Sequence, residues 1–253
     1  MIFFPLLSRS LFWNINKKGV FNKISTNNLK RFPFQKLFGR NYTDDARIAE
    51  SCNTGQPTKW PSDQMVKFQF HRDIELVFNR QINAEFKAFY YYLSMAAYFG
   101  RVDVALPGFQ SFFMQMHHEE HDHALQFLNY IIMRGGKVYL NQICSPGVQD
   151  DWGCPLNALK TALQLEIEIS EKLVAANDVA KIYNDLNASD FIVTKFMDIQ
   201  VKSVNEMAKL VSVLSGIGDS SLARFMFDKD LLVHYVKPKF NVLKNQLKTD
   251  NNK

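Results

Sequence analysis

The stretch HHEEHDH, residues 117–123, gathers ionisable side chains between the apolar runs FFMQM and ALQFLNYIIM. Glu120 and His123 within it form an E-x-x-H pair, which places a carboxylate and an imidazole on one face of a helix. Such a donor set suits iron, manganese or zinc in the core of a helix bundle. The pair alone is a weak signal, because many helices contain it by chance.

Four long segments with helical periodicity must position this pair. Apolar residues recur at alternating three- and four-residue steps over 69–99, 106–134, 155–182 and 189–215, which is typical of helices that face a common core. A long connection between the second and third segments carries the chain back along the bundle. The pattern predicts an all-α, four-helix bundle with a long crossover between helices 2 and 3 and a short fifth helix over 221–235.

Each predicted core-facing line is apolar except near its middle. From the first helix to the fourth, the lines are Phe78, Ile82, Glu85, Phe89, Tyr92, Ala96; Phe109, Phe113, Met116, Glu120, His123, Phe127, Tyr130; Leu156, Leu159, Leu163, Glu166, Ser170, Leu173; and Val193, Phe196, Gln200, Ser203, Met207, Leu210, Leu214. The polar positions share one level of the bundle, so the sequence predicts a polar centre there.

Buried carboxylates require compensation, since an unpaired charge in a dry core costs several kcal/mol. The four lines contain no Lys or Arg that could neutralise Glu85, Glu120 and Glu166. Protonation would compensate them, and so would a pair of divalent metal ions, which we favour because His123 adds a neutral nitrogen ligand. Gln200 also has a simpler interpretation, as a hydrogen-bonding residue that spans the core.

HHEEH also matches the H-x-x-E-H pattern of inverted zincins, in which His117 and His121 would bind zinc and Glu120 would activate water. That alternative places both histidines on a helix face away from the core and leaves the acids of the other helices unexplained. We therefore interpret His117, His118 and His121 as solvated surface residues.

The charge distribution argues against nucleic acid as a partner. The formal net charge is +5, but residues 1–43 carry basic side chains and no acid, and the remaining chain is mildly acidic. No apolar run reaches the roughly 18 residues of a membrane span, so we expect no membrane partner. Cys52, Cys144 and Cys154 are too few for a disulfide framework and indicate free thiols in a reducing compartment.

The amino-terminal leader is basic, free of acids and rich in Ser, Asn and Phe, which is typical of a mitochondrial transit peptide. Arg40 lies two residues before Tyr42, a spacing that resembles a matrix-protease cleavage site, so we expect import into the mitochondrial matrix. A disordered basic arm is the alternative. The predicted divisions are a transit peptide (1–42), a flexible lead-in (43–66), a helical domain (67–236) and a weakly ordered tail (237–253).

Several stretches resemble animal ferritins of the heavy-chain type. They are NRQINAEFKAFYYYLSM, HHEEHDHA, RGGKVYL, DDWGCPLNAL and FMFDKDLL. The resemblance runs from about residue 68 to residue 235, and the basic leader makes the chain similar to the mitochondrial members of that family. It implies a cage of twenty-four subunits around a ferric mineral. It also implies iron storage, with a ferroxidase centre in each subunit that oxidises Fe²⁺ with O₂.

The resemblance also implies roles for individual residues. Glu85, Glu120 and His123 match the ligands of the first iron, while Glu120 bridges and Glu166 completes the second iron site. Tyr92 and Gln200 match the tyrosine and glutamine beside that centre, although a core tyrosine is the simpler interpretation of Tyr92.

Other acids match positions outside the centre. Glu119 and Asp122 resemble residues of the inner wall that nucleate mineral, and ordinary solvated charge explains them equally well. Asp190 matches an acid that lines the three-fold channel for iron.

Four residues depart from the family pattern. Val193 replaces a second channel acid, Ile199 replaces an acid beside Gln200, and Leu125 replaces an acid of the inner surface. Asp230 stands where the heavy chain has histidine at the four-fold pore. These departures predict altered steering of iron and weaker mineral nucleation.

Three functions are consistent with the sequence. The first is a ferroxidase that oxidises and stores iron, and the second is a structural cage subunit without fast oxidation. The third is a monomeric or dimeric di-iron oxygenase, which the single E-x-x-H disfavours because such enzymes usually carry two.

Overall fold

The structure is a computed structural model that describes residues 67, 69–146 and 152–245. The predicted leader and lead-in lie outside the described residues. The helices are α1 (Arg72–Phe99), α2 (Pro107–Met133), α3 (Pro155–Ile182), α4 (Leu186–Ile192), α5 (Asp198–Ile217) and α6 (Ser221–His234). A π-helical turn (Val193–Met197) joins α4 to α5, and Pro238–Phe240 forms a 3₁₀ turn. With α4 and α5 counted as one long helix, the predicted all-α, four-helix bundle and its short fifth helix are confirmed.

The long helices pack side by side with a simple pattern of directions. The short loop after α1 makes α1 and α2 antiparallel. The hydroxyl of Tyr183, just after α3, donates to Asp73 at the start of α1, and the hydroxyl of Tyr98 donates to Gly153 O (3.0 Å) near the start of α3. Because α3 is therefore antiparallel to α1 and parallel to α2, the connection between α2 and α3 must traverse the length of the bundle, as predicted.

Local chemistry fixes where the helices begin. Pro107 and Pro155 occupy the first turns of α2 and α3, where a missing N–H costs no hydrogen bond. Asp185 caps α4 by accepting from Ala188 N (2.9 Å), and it also pairs with both terminal nitrogens of Arg134 (3.1 and 2.8 Å). This ion pair ties the end of α2 to the start of α4.

Aromatic side chains fill much of the core. Phe78 and Phe127 meet edge to face with ring centroids 5.2 Å apart, and Phe127 stacks on Phe196 at 4.4 Å. Full burial of one such side chain contributes about 1.5–3 kcal/mol. The helices are therefore held mainly by apolar packing, which leaves room for a polar centre at one level.

The observed core-facing lines differ from the predicted ones at positions on α1, on α3 and on the last long helix. On α1, Phe89 is only partly buried, while Ala88 is buried. On α3, Leu156, Leu163 and Ser170 are only partly buried, while Ala158, Ala162, Leu165 and Ile169 are buried. The alanines form part of the inner face because their small side chains let neighbouring helices approach closely. Glu166 lies on the observed line, so its predicted position holds.

On the last long helix, Val193 is 43% exposed and not in the core, and Ser203 is only partly buried. Ile192 is buried in place of Val193. The π-helical turn contains one residue more than an α-helical turn of the same height, so it shifts the buried face by one position. Phe196 and Gln200, beyond the first residue of the turn, are buried as predicted.

The chain after α6 turns back onto α2. The backbone N–H of Lys237 donates to Gln115 Oε1 (2.8 Å), and that of Val242 donates to Ser111 Oγ (3.2 Å). Residues 237–245 of the predicted weakly ordered tail thus contact α2, while residues 246–253 lie outside the described part of the chain.

Nothing among the described helices combines the length and the low polarity that crossing a lipid bilayer would require.

Candidate metal centre

Three side chains from α1 and α2 converge inside the bundle. Glu85 projects from α1, and Glu120 and His123 project from one face of α2 because they are three residues apart. One ligand atom from each lies within 4.8 Å of the other two. Both carboxylates are buried, and the side chain of His123 is 16% exposed. The structure therefore brings together three residues that the sequence placed at the same level of two helices.

The two carboxyl groups of this centre are electrostatically strained. Burial raises the pKa of Glu85 well above its ordinary value, and the neighbouring Glu120 raises it further. Burial also raises the pKa of Glu120, with the carboxylate of Glu166 adding to the effect. Without a cation, at least one of these groups retains a proton at a pH where an exposed carboxyl group has lost it.

The carboxylates also have unsatisfied oxygens. Glu85 Oε2 and Glu120 Oε2 are buried and make no hydrogen bond within the described structure. A buried acceptor without a partner costs about 1–3 kcal/mol. A divalent cation between these oxygens and the imidazole of His123 would satisfy both at once, so the donor set fits a metal ion.

Glu166 lies beside this group and is firmly held. The hydroxyl of Tyr92 donates to Glu166 Oε1 (2.5 Å), and Gln200 Nε2 donates to Glu166 Oε2 (2.6 Å) and to its backbone oxygen (3.0 Å). Burial raises the pKa of Glu166, and these two hydrogen bonds partly offset the rise. Burial and the Glu166 carboxylate raise the pKa of Tyr92, so its hydroxyl remains a donor.

Two neighbours of the centre were not predicted. Gln81 Nε2 donates to Glu85 Oε1 (2.7 Å), and the ring of Phe196 lies 5.7 Å from the ring of His123. Gln81 stands one helical turn before Glu85, and a buried amide next to a buried acid is a signal that could have found it. The signal for Phe196, which lies in the π-helical turn before α5, was its place on the core-facing line predicted for the fourth helix.

The other predicted acids lie elsewhere. Glu119 pairs with Lys237 Nζ (2.6 Å), Asp122 is exposed near His121, and Asp190 is exposed. Of the nine predicted site residues, six therefore surround the buried centre. These three acids do not contribute to it.

The histidines of the alternative zinc motif are also placed away from the centre. His117 stacks on Phe89 with ring centroids 4.0 Å apart, and His121 lies 5.7 Å from the same ring. Glu120 instead lies with Glu85 and His123. This geometry separates the acid from the two histidines that the zincin pattern would pair with it.

An all-α bundle with a buried carboxylate and imidazole cluster defines a helical protein with a candidate metal centre. The chain matches the ferritin family, through its ferritin-like domain, over residues 76–217. This segment is more than half of the chain and contains Glu85, Glu120, His123, Glu166 and Gln200. The chain belongs to the ferritin family.

Proposed function

We propose that this chain is a ferritin of the heavy-chain type, which oxidises Fe²⁺ with O₂ inside each subunit and stores the ferric product. The observation that supports this proposal most is the buried cluster of Glu85, Glu120 and His123, with ligand atoms within 4.8 Å. A subunit that only formed a shell would gain nothing from acids whose burial costs stability.

Two Fe²⁺ ions are the substrates of this centre. Glu85, Glu120 and His123 would bind the first, while Glu120 and Glu166 would bind the second. Each Fe²⁺ gives up one electron, and O₂ takes up both electrons together with two protons to become hydrogen peroxide. Binding requires ionised carboxylates, so Glu85 and Glu120 release their retained proton as iron enters.

Tyr92 and Gln200 act through Glu166. Their hydrogen bonds to its two oxygens fix the carboxylate in the absence of metal. Residues that orient a ligand in this way commonly change metal affinity or activity 10- to 100-fold when they are replaced. Tyr92 and Gln200 are therefore positioning residues in this proposal.

The decisive experiment removes one ligand at a time. Glu120→Ala and His123→Ala should each abolish rapid Fe²⁺-dependent oxygen uptake while circular dichroism shows an intact helical fold. Gln126→Ala, which alters an exposed side chain of the same helix, is the matched control and should retain the uptake. Normal uptake in both ligand variants would refute the assigned centre.

A structural cage subunit without fast oxidation is the second candidate. It is favoured by the fact that both oxygens of Glu166 already accept hydrogen bonds, from Tyr92 and Gln200, which leaves the second iron with fewer ligands. Anaerobic Fe²⁺ titration followed by oxygen separates the two candidates. A fast phase that saturates at two Fe²⁺ per chain supports the ferroxidase, and its absence supports the structural subunit.

We further propose that the subunits form a cage of twenty-four copies. Support comes from α6, where Leu222, Phe225, Met226 and Val233 are all more than half exposed. These four residues fall on one side of the helix, and neighbouring subunits would cover that apolar side. Sedimentation velocity on the full chain tests the assembly, since a cage is more than ten times heavier than a monomeric or dimeric oxygenase.

Import into the mitochondrial matrix is proposed from the composition of residues 1–42. Sequencing the amino terminus of the mature protein from fractionated cells tests both the compartment and the predicted cleavage after Tyr42. An intact Met1 in a cytosolic fraction would refute the proposal.

A further inference from the structure

His117 and His121 are not used by the proposed ferroxidase centre, yet they lie together. They are four residues apart on α2, the spacing that places two side chains one above the other on a helix face. Both rings contact the same ring of α1, that of Phe89, with centroids 4.0 and 5.7 Å away. The two imidazoles therefore occupy a common patch between α1 and α2.

The hydrogen bond of His117 determines which of its ring nitrogens is available. Its Nδ1 lies 3.0 Å from the backbone oxygen of Phe89. A carbonyl oxygen can only accept, so Nδ1 carries the hydrogen, and Nε2 of the neutral ring has a free lone pair. Histidines that bind metals in proteins are commonly oriented in this way, with the second nitrogen donating to a carbonyl or carboxylate.

The surroundings of His117 lower its pKa on balance, which favours the neutral ring. Burial lowers the pKa most, the hydrogen bond to the backbone oxygen of Phe89 raises it, and the neighbouring rings of His118 and His121 lower it further. The ring of His121 turns Nδ1 towards Asp122 Oδ1, 3.8 Å away, and its side chain is 42% exposed. This distance is too long for a hydrogen bond, so the ring of His121 is less firmly oriented than that of His117.

We propose that His117 and His121 form a second metal site, separate from the bundle core, in which their Nε2 atoms chelate one divalent transition-metal ion. A pair of histidines at i and i+4 on a helix is the arrangement that holds zinc in helical zinc motifs. The two imidazoles supply two ligands, and water from the exposed side of His121 completes the coordination.

The ligand chemistry predicts which ions bind. Two neutral imidazoles favour Cu²⁺, Ni²⁺ and Zn²⁺ over Fe²⁺, following the Irving–Williams order. The core centre instead offers mainly carboxylate oxygens. The histidine site should therefore prefer Cu²⁺, Ni²⁺ or Zn²⁺ to the Fe²⁺ proposed for the core centre. The proposal does not depend on the ferroxidase function.

Cu²⁺ titration of the full chain tests the site, with electron paramagnetic resonance reporting nitrogen ligands. The titration uses a Glu120→Ala/His123→Ala background, which removes the core ligands. We expect one Cu²⁺ per chain with two imidazole nitrogens. His117→Asn, which keeps an N–H that can reach the carbonyl of Phe89, and His121→Asn should each weaken binding at least tenfold. His118→Asn, which alters an exposed histidine of the same helix, should bind like its parent.

Unchanged Cu²⁺ affinity in both His117→Asn and His121→Asn would overturn the proposal. Equal weakening in His118→Asn would also overturn it, because binding would then reflect exposed histidines in general. In the otherwise wild-type chain, His117→Asn and His121→Asn should keep the oxygen uptake of the parent. A loss of uptake would place these histidines in the core reaction and refute a separate site.

Discussion

At the scale of single residues, the buried acids are the costliest feature of the molecule. Glu85 and Glu120 are buried, and each has one oxygen without a hydrogen bond. The hydrogen-bond donors to Glu85 and to the nearby Glu166 are neutral amides and a phenol, which supply no positive charge. Either a proton or a cation must compensate the acids. The choice between the two depends on pH and on metal, which makes it measurable.

Glu85→Gln tests this compensation in metal-free protein. The pKa of Glu85 is raised above 4.5 in the folded state, so the folded chain binds more protons than the unfolded chain above that pH. The free energy of unfolding should therefore fall as pH rises from about 5 to about 8. The variant lacks this carboxyl group, so its free energy of unfolding should fall less with rising pH. Near pH 8 the variant should be about 1–3 kcal/mol more stable than wild type. Thermal unfolding at one scan rate measures it.

Glu171→Gln is the control for this experiment, since Glu171 is exposed on α3 and its replacement should leave the pH dependence unchanged. Adding Zn²⁺ should stabilise the wild type at pH 8 and the Glu85→Gln variant much less. A variant as pH-sensitive as the wild type would show that Glu85 does not hold the retained proton.

Tyr92→Phe tests the support of Glu166. The variant removes one hydroxyl and leaves Glu166 Oε1 without its donor, so only Gln200 still orients the carboxylate. We expect oxidation to slow roughly 10-fold or more with little change in the helical fold. Stopped-flow oxidation at two Fe²⁺ per chain measures the change. Tyr91→Phe, at a partly buried neighbour, should oxidise at the parent rate, and equal slowing in both would argue against a specific role for Tyr92.

Most of the centre could be predicted at this scale. Glu85, Glu120 and Glu166 interrupt apolar lines, and a charged residue in such a place requires a reason. Gln81 was missed because it lies one position before Ile82 on the predicted core-facing line of α1. The sequence alone does not distinguish such an amide from a polar surface residue, since the exact rotation of the helix is not known. The hydrogen bonds of Glu166 could not be predicted either, because they depend on the rotamers of three different helices.

At the scale of elements, the docking of α6 onto α2 includes a close backbone contact beside the stacked rings of Phe109 and Phe227. Asp228 Oδ1 accepts from Phe109 N (2.9 Å) and so satisfies a free N–H in the first turn of α2. A Cβ at Gly108 would lie only 1.9 Å from the backbone oxygen of Asp228. Glycine is therefore required where the two backbones approach each other.

Gly108→Ala should displace α6 and destabilise the protein by about 3 kcal/mol or more, at the upper end of overpacking effects. Gly216→Ala is the matched control, because nothing lies within 4 Å of a Cβ added there and alanine favours a helix by about 0.5–1 kcal/mol. Chemical unfolding of both variants measures the difference. Equal stability of the two would refute the tight contact.

The helices and their bounds were predicted well, but the residues that face the core were predicted less well. Pro107 and Pro155 mark helix starts by a local rule, so the bounds of α2 and α3 follow from sequence. The π-helical turn does not, because no residue type specifies it. For this reason Val193 was assigned to the core one residue away from Ile192, which is buried in its place.

At the scale of the whole molecule, α6 carries apolar residues on two sides. Phe227 and Leu231 face α2 and are buried, whereas Leu222 and Met226 are exposed. A helix that is apolar on both sides is stable in water only when both sides are covered. The exposed side is therefore the natural contact for further copies in the proposed cage.

Met226→Glu should prevent or weaken assembly by placing a charge in this contact, and sedimentation velocity should show species much smaller than those of the wild type. Arg224→Gln changes the charge on the opposite side of the same helix, where Arg224 pairs with Asp219, and should assemble normally. Full-size particles from Met226→Glu would show that this surface is not part of the assembly contact.

The returning segment after α6 has a practical consequence for spectroscopy. Because the amides of Lys237 and Val242 bind side chains of α2, a fluorophore at the exposed position Leu243 would sit beside the first turns of α2 and not beyond the tip of α6. Energy transfer between that fluorophore and a second dye on α2 would report how far the segment after α6 separates from α2.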